Sequence, residues 1–199
     1  MRFVAKTLGV TSGKGGVGKT FCSLNIAKTI SQMGKRVLLV DCDFNLGNCG
    51  FALGLNKFST LVDFIKGASV EDCITEVSNL DFIGAESGDL EILEGKYNLT
   101  ESLLKLIFVL QKKYDFIILD CGAGLDDKLL SVLAYCDYRF VVTNPDTLSL
   151  KDSYALIKVL AQKYGVDNFH FLPNKVHGRN EEKKVQQVIR LMTERFLGV

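Results

Sequence analysis

The 199-residue sequence has only two prolines and almost no net charge. Its hydrophobic residues make up 47% of the chain, and its formal net charge at pH 7 is +1. A chain of this length and composition is expected to fold as one globular domain with a substantial core, and it lacks the character of a disordered tail. Its near-neutral charge does not require a nucleic acid or an anionic membrane as a partner.

The cysteines lack the spacing of a zinc or redox motif. They lie at positions 22, 42, 49, 73, 121 and 136, and no C-x-x-C occurs among them. Several lie within apolar runs, where cysteine packs as a small hydrophobic residue. We therefore expect buried free thiols and a reducing cytoplasmic compartment.

Long apolar runs are also missing from the sequence. Residues 103–110 are nearly all apolar, but a membrane-spanning helix needs roughly 20 such residues, so we expect a buried helix there. Met1-Arg2-Phe3 leads directly into a predicted strand, and no secretory signal peptide is expected.

A glycine-rich stretch, S-G-K-G-G-V-G-K-T at residues 12–20, lies between a predicted strand and a predicted helix. It fits the pattern G-x-x-x-x-G-K-[ST]. Glycines let backbone N–H groups turn toward phosphate oxygens, and the helix N-terminus adds its positive dipole end. A glycine-rich turn without a ligand is the alternative, which the strand–loop–helix context disfavours. The predicted phosphate-binding residues are Gly13, Lys14, Gly15, Gly16, Val17, Gly18, Lys19, Thr20 and Phe21.

Two predicted buried strands end in aspartates. V-L-L-V is followed by Asp41 and Asp43, and F-I-I-L is followed by Asp120. Parallel strands place their carboxyl ends at one edge of the sheet, where α/β proteins bind ligands. We expect Asp41 and Asp120 to hold Mg²⁺ together with the hydroxyl of Thr20, while Lys19 reaches the β- and γ-phosphates. Turn formation around residues 41–48 is the alternative interpretation.

Alternating strands and helices predict an α/β fold with a doubly wound, mostly parallel sheet and helices on both faces. The final helix has an apolar face that we expect to pack on the core rather than on a membrane or partner. Ser59 is the predicted N-cap of a short helix, and residues 85–98 are a predicted surface loop. The predicted strands are 3–10, 37–40, 80–84, 115–120, 138–143 and 168–172, and the predicted helices are 20–33, 60–66, 70–75, 100–113, 125–135, 148–164 and 181–197.

The loop and the aspartate segments together resemble the MinD/ParA family of deviant Walker A ATPases, which bind ATP or ADP with Mg²⁺. The resemblance implies an ATP-dependent homodimer in which Lys14 reaches the nucleotide of the partner. It further implies that Asp43 helps to activate the attacking water, with Asn48 close to the same water. By the same resemblance, Asn174 contacts the edge of the adenine.

Within this family the chain is most similar to the FlhG (FleN) branch. D-C-G-A-G at 120–124 resembles the D-T-G-A-G common in that branch, and N-P-D-T at 144–147, D-S-Y-A-L-I-K at 152–158 and L-V-D-F-I-K-G at 61–67 also match it. This similarity implies control of flagellar number or placement by a single ATPase domain over residues 1–199. It also implies an SRP-type GTPase (FlhF-like) or a flagellar regulator as partner.

The sequence departs from the family pattern in three ways. In the segment after Asp41 and Asp43, which matches the first switch region of the family, Asn45 replaces a usual glycine and Gly50 replaces a common aspartate. These changes leave the hydrolysis rate open. We expect the chain to lack the N-terminal extension that activates the partner GTPase in FlhG, which leaves that activity open. Relatives continue beyond Val199 with more sheet and an amphipathic membrane helix. We therefore expect a domain that lacks the C-terminal part of the family. We expect the protein to be cytoplasmic, and the sequence leaves open whether it contacts the inner membrane peripherally.

Three alternative functions remain at this point. A partition-type ATPase would bind DNA through a basic patch, but Lys183-Lys184 is offset by Glu181-Glu182, and nucleic acid is not expected. A metallocluster carrier would need cysteines that bridge a dimer, for which Cys121 and Cys136 are the candidates. A nucleotide-binding interaction module without hydrolysis would be consistent with the altered first switch.

Overall fold

The computed structural model describes residues 4–43, 47–85 and 96–197 of the chain. Its strands are β1 (Lys6–Ser12), β2 (Val37–Cys42), β3 (Thr75–Val77), β4 (Leu80–Ile83), β5 (Phe116–Ala123), β6 (Tyr138–Thr143) and β7 (His170–Pro173). The described strands form a seven-stranded sheet in the order β3-β4-β2-β5-β1-β6-β7. Neighbouring strands run parallel except for the antiparallel pair β3–β4, which confirms the predicted sheet.

Helices cover both faces of this sheet. The described helices are α1 (Lys19–Gln32), α2 (Cys49–Ala52), α3 (Leu61–Ile65), α4 (Leu99–Leu110), α5 (Asp127–Tyr135), α6 (Thr147–Tyr164) and α7 (Arg179–Leu197). Alternate strand residues belong to opposite clusters of the core: Leu38 belongs to the cluster that contains residues of α4, α5 and α6, whereas Leu39 belongs to the cluster that contains residues of α1. Because both faces are covered, every residue of β2 is buried, as a continuous apolar strand predicts.

The last helix, α7, packs on the core as predicted. Val185 and Ile189 are buried on its inner side, whereas Val188 is partly exposed. The cysteines also follow the prediction, because all six are free and five are buried, with Cys22 half-buried. Among the described residues, no helix combines the length and the apolar composition that crossing a bilayer requires.

The N-cap prediction for the helix at 60–66 is wrong. Thr60, not Ser59, caps α3: its hydroxyl accepts a hydrogen bond from the backbone N–H of Asp63 (3.4 Å), and the Asp63 carboxylate accepts one from the backbone N–H of Thr60 (2.8 Å). This reciprocal pair satisfies two free helix-end donors, which a cap at Ser59 would not do.

The predicted helix at 70–75 is also wrong. Those residues form a turn that leads into β3, and β3 pairs with β4 at the edge of the sheet. The hydroxyl of Thr75 accepts a hydrogen bond from the backbone N–H of Ser59 (3.0 Å), which fixes the start of the strand. Pairing with the sheet edge therefore outweighs the local helical pattern. Within the predicted loop at 85–98, residues 86–95 lie outside the described part of the chain.

Candidate nucleotide and metal site

The glycine-rich loop connects β1 to the N-terminus of α1. Gly18 is the N-cap residue, with φ 100°, a left-handed conformation that glycine adopts without steric cost. No described side chain caps this helix end, and its first turn contains no acidic residue. The free N–H groups of the first turn are therefore available to an anion such as a phosphate. Lys19, the first residue of α1, is nearly buried.

Helix α6 packs directly against the start of this loop. A Cβ atom at Gly13 would lie 2.2 Å from the carbonyl oxygen of Asp152, so only glycine fits there. The N-cap of α6 is Asp146, whose carboxylate accepts a hydrogen bond from the backbone N–H of Ser149 (2.9 Å). The same carboxylate lies 3.6 Å from the ammonium of Lys14. Within one protomer, the early lysine of the loop is therefore paired with α6.

The segment after β7 supports the other side of the loop. The side-chain amide of Asn174 donates a hydrogen bond to the carbonyl of Val17 (2.7 Å), and the ammonium of Lys175 donates one to the carbonyl of Gly16 (2.8 Å). Lys175 adopts a left-handed backbone conformation with φ 56°. Asn174, predicted to contact adenine, thus lies against the phosphate loop itself.

Asp41 and Asp120 lie opposite each other at the carboxyl ends of β2 and β5. The hydroxyl of Ser23 donates a hydrogen bond to Oδ1 of Asp120 (2.8 Å), and the thiol of Cys49 donates one to Oδ2 (3.1 Å). Asp41 accepts hydrogen bonds from the backbone N–H groups of Asp43 (3.0 Å) and Cys49 (3.1 Å). The structure therefore brings together two carboxylates that are 79 positions apart in the chain.

Burial of Asp41 raises the pKa of its carboxyl group from 3.8 to about 6, and the nearby Asp120 carboxylate adds to the shift, although two backbone hydrogen bonds oppose it. A divalent cation at this edge would favour the charged form of both groups. Thr20 lies three residues before Ser23, so it shares the face of α1 that contacts Asp120. Thr20, Asp41 and Asp120 could together hold a Mg²⁺ ion.

The remaining predicted residues lie around this edge. Asp43 is half-buried, and its carboxyl carbon lies 3.7 Å from where a Cβ atom of Gly122 would be, so it faces the carboxyl end of β5. Asn48 is exposed immediately before α2. Phe21 projects from the first turn of α1 with 65% of its surface exposed. Asn45 lies outside the described residues, so its predicted effect stays a prediction.

Several residues at the site have no signal in a simple motif search. Lys175 and Asp146 contact the loop only because β6 and β7 place their ends beside it. Ser23 was detectable in principle, because a polar residue three positions after Thr20 shares its helix face. The sequence does not mark Cys49 as a site residue, because a cysteine at the start of a short apolar helix is typical of simple core packing.

Comparison with known proteins gives one family model and three related proteins. A family model described as an AAA domain matches residues 5–170. The antiactivator FleN of Pseudomonas aeruginosa is 31% identical over 98% of this chain and 70% of its own length. The cell division ATPase MinD of Pyrococcus furiosus superimposes with a TM-score of 0.79 at 28% identity, over 94% of this chain and 80% of the other. MinD of Pyrococcus horikoshii, solved in complex with Mg-ADP, gives a TM-score of 0.78 at 29% identity, over 92% and 77% of the two chains.

Proposed function

The chain belongs to the MinD/ParA family of P-loop ATPases, and we propose that it is an ATP-dependent dimerising switch that controls the number or placement of flagella. The observation that carries this proposal is the buried pair Asp41 and Asp120, held at the sheet edge beside the helix that begins at Lys19. The similarity to FleN supports the flagellar role. Residues 1–199 act in this proposal as a single ATPase domain.

ATP or ADP binds with Mg²⁺ at the glycine-rich loop. The backbone of residues 13–18 and the first turn of α1, including Phe21, surround the phosphates, and Lys19 contacts the β- and γ-phosphates. Asn174 lies beside the adenine. When bound, Mg²⁺ neutralises charge on the β- and γ-phosphates. Its proposed ligands are Thr20 on α1 and the two buried aspartates Asp41 and Asp120.

Hydrolysis depends on residues at the rim of this site. Asp43 accepts a proton from the attacking water, and Asn48 helps to hold that water. Lys14 leaves Asp146 and stabilises charge on the phosphates of the second protomer, as an arginine finger does in other enzymes. The Lys14–Asp146 pair is roughly half-exposed, and such pairs contribute no more than about 1 kcal/mol, so its release costs little. We expect slow turnover that a partner regulates.

The proposed partners follow from the flagellar role. They are a second copy of the chain, bound with ATP, and an SRP-type GTPase (FlhF-like) or another flagellar regulator. The proposed location is the cytoplasm. The near-neutral charge of the chain gives no support to a role in nucleic-acid binding.

Two alternatives differ in their support. Positioning of another cargo is favoured by the similarity to the cell division ATPase MinD of Pyrococcus furiosus. A metallocluster carrier has no such support, because Cys121 and Cys136 are buried and their thiols donate hydrogen bonds to the carbonyls of Leu119 (3.7 Å) and Val132 (3.6 Å). Those sulfurs lie in the interior of the protomer.

ATP turnover by the wild type and by Asp43→Ala tests the proposal. We expect a loss of about 100-fold or more in the variant, the usual effect of a missing proton acceptor, with ATP binding retained. Asp167→Ala is the matched control, since Asp167 is exposed before β7, away from the carboxyl edge. Equal background rates in all three proteins would instead favour an interaction module without hydrolysis. Flagella counted per cell, with each variant replacing the wild type, test the flagellar part.

A further inference from the structure

We propose that Asp41, Cys49 and Asp120 form a binding site for a thiophilic divalent cation of the Zn²⁺ class. Their ligand atoms, a thiol sulfur and two carboxylate oxygens, all lie within 4.8 Å of one another. All three residues are almost completely buried, with exposed fractions of 0% for Cys49, 1% for Asp41 and 2% for Asp120. Two of these residues are also the proposed Mg²⁺ ligands. The expected competition between Zn²⁺ and Mg²⁺ therefore rests on the proposed function, whereas binding of Zn²⁺ itself does not.

The spacing of the ligand atoms of Cys49 and Asp120 suits a small tetrahedral ion. Zn²⁺ lies about 2.3 Å from a thiolate sulfur and about 2.0–2.2 Å from a carboxylate oxygen, so the ligands around it are about 3.3–3.6 Å apart. In the structure, Sγ of Cys49 and Oδ2 of Asp120 are 3.1 Å apart. A Zn²⁺ ion therefore fits between them after a displacement of a few tenths of an ångström.

The thiol changes which cation the site prefers. Mg²⁺ takes oxygen ligands and gains little from sulfur, whereas a thiolate is among the preferred ligands of Zn²⁺. On binding, Cys49 loses its thiol proton to solvent and forms a sulfur–metal bond. The hydrogen bond from Cys49 to Asp120 is thereby replaced by coordination of both groups to one ion.

Neighbouring groups already orient the three ligands. Ser23 holds Oδ1 of Asp120 and leaves Oδ2 directed at Cys49. Backbone N–H groups of Asp43 and Cys49 hold the carboxylate of Asp41. Supporting hydrogen bonds of this kind fix the geometry of metal ligands. Three protein ligands leave a fourth position for water or for a phosphate oxygen.

The consequence is competition between two cations at one edge of the sheet. A Zn²⁺ ion held by Asp41 and Asp120 occupies carboxylates that the proposed Mg²⁺ site needs. ATP turnover should therefore fall at low Zn²⁺ concentrations in the wild type, and this inhibition should be much weaker in Cys49→Ser.

Co²⁺ titration of the nucleotide-free full chain tests the binding site directly. We expect the wild type to bind one Co²⁺ with a thiolate-to-cobalt charge-transfer band, which Zn²⁺ removes by displacement. Cys49→Ser should lose the band and bind Zn²⁺ more than about 100-fold more weakly, above the loss caused by removing a supporting group. Cys73→Ser is the matched control, because Cys73 is a buried thiol near Asp63 and Asp72 instead. It should keep the band.

Absence of the band in the wild type, or an equal band in Cys49→Ser, overturns the proposal. Thermal melts without metal establish whether the variants are folded. If Cys49→Ser does not fold, alkylation of wild-type cysteines in mild denaturant replaces it: Zn²⁺ should protect Cys49 and leave Cys73 reactive, and equal reactivity overturns the proposal. These measurements contain no nucleotide. If the wild type hydrolyses ATP but lacks the band, only the proposed cation site is contradicted. If it shows the band but does not hydrolyse ATP, only the proposed function is contradicted.

Discussion

Asn174 shows how one side chain at the nucleotide cleft can have two functions. The family resemblance assigns it to the adenine edge, whereas in the structure its amide donates a hydrogen bond to the carbonyl of Val17 (2.7 Å). A Cβ atom at Gly18 would lie 2.3 Å from the same amide nitrogen, so the contact with the loop is close. An amide group has two N–H donors and a carbonyl acceptor, and one donor to Val17 leaves the others for a base.

Asn174→Ala separates these two functions. If Asn174 contacts adenine, the variant should bind ATP about 10-fold more weakly, the loss of roughly one hydrogen bond in a partly buried site, while its affinity for inorganic triphosphate stays unchanged. Isothermal titration with both ligands measures the difference. Asn168→Ala, an exposed asparagine before β7, is the control. Equal weakening for both ligands would show that Asn174 serves only to support the loop.

At the scale of elements, the short helix α2 explains one departure from the family pattern. The ring of Phe58 lies between two glycines: a Cβ atom at Gly50 or at Gly84 would be 2.3 Å from it. Phe82 meets the same ring edge-to-face at 5.5 Å between centroids. An aspartate at position 50 would displace the ring, so Gly50 goes together with Phe58 in this chain. Packing against Phe58 therefore explains why this chain has glycine at position 50.

Gly50→Ala should destabilise the fold. Overpacking of a closely packed ring costs about 1–3 kcal/mol, which outweighs the gain of up to about 1 kcal/mol from alanine in a helix. Urea unfolding of the wild type, Gly50→Ala, Phe58→Leu and the double variant measures this. The double variant should be more stable than the sum of the single effects predicts, by about 0.5 kcal/mol or more. Strict additivity would show that the ring and the glycine are independent.

At the scale of the whole molecule, the lysine that is proposed to act on the partner's nucleotide is paired with an aspartate of its own protomer. Lys14 lies 3.6 Å from Asp146 at the N-terminus of α6, and both side chains are roughly half-exposed. Such a pair is weak in water and is easily exchanged for a phosphate of the partner's nucleotide. The proposed transfer of Lys14 to the partner's nucleotide therefore costs little free energy.

Lys14→Ala should retain ATP binding and lose ATP-dependent dimerisation. Without the ammonium, the phosphates of the partner lose a charge-assisted contact, and the dissociation constant of the dimer should rise at least about 10-fold, equivalent to about 1.4 kcal/mol. Sedimentation with ATP and with ADP measures the dimer. Lys112→Ala, an exposed lysine after α4, is the control. A dimer of Lys14→Ala as stable as the wild-type dimer would contradict the cross-dimer role.

Local sequence patterns determined the architecture of this protein and the loop of its proposed nucleotide site. Continuous apolar runs predicted strands buried on both faces, and β2 is buried throughout. The spacing of Gly13, Gly18, Lys19 and Thr20 predicted a loop leading into a helix N-terminus, which the structure has. Asp41 and Asp120 followed from the rule that parallel strands end at one edge. These features depend on the backbone within a few residues, so the sequence carries them explicitly.

The tertiary structure alone decided which distant side chains meet. The thiol of Cys49 reaches Asp120, 71 positions along the chain, because β2 and β5 are neighbours and α2 folds back over their ends. Phe58 lies between Gly50 and Gly84 for a similar reason. The strand at 75–77 begins where the helix predicted at 70–75 was expected to end, and it forms because β4 offers a free edge. Such contacts depend on strand order and on packing between elements, which short-range periodicity does not encode.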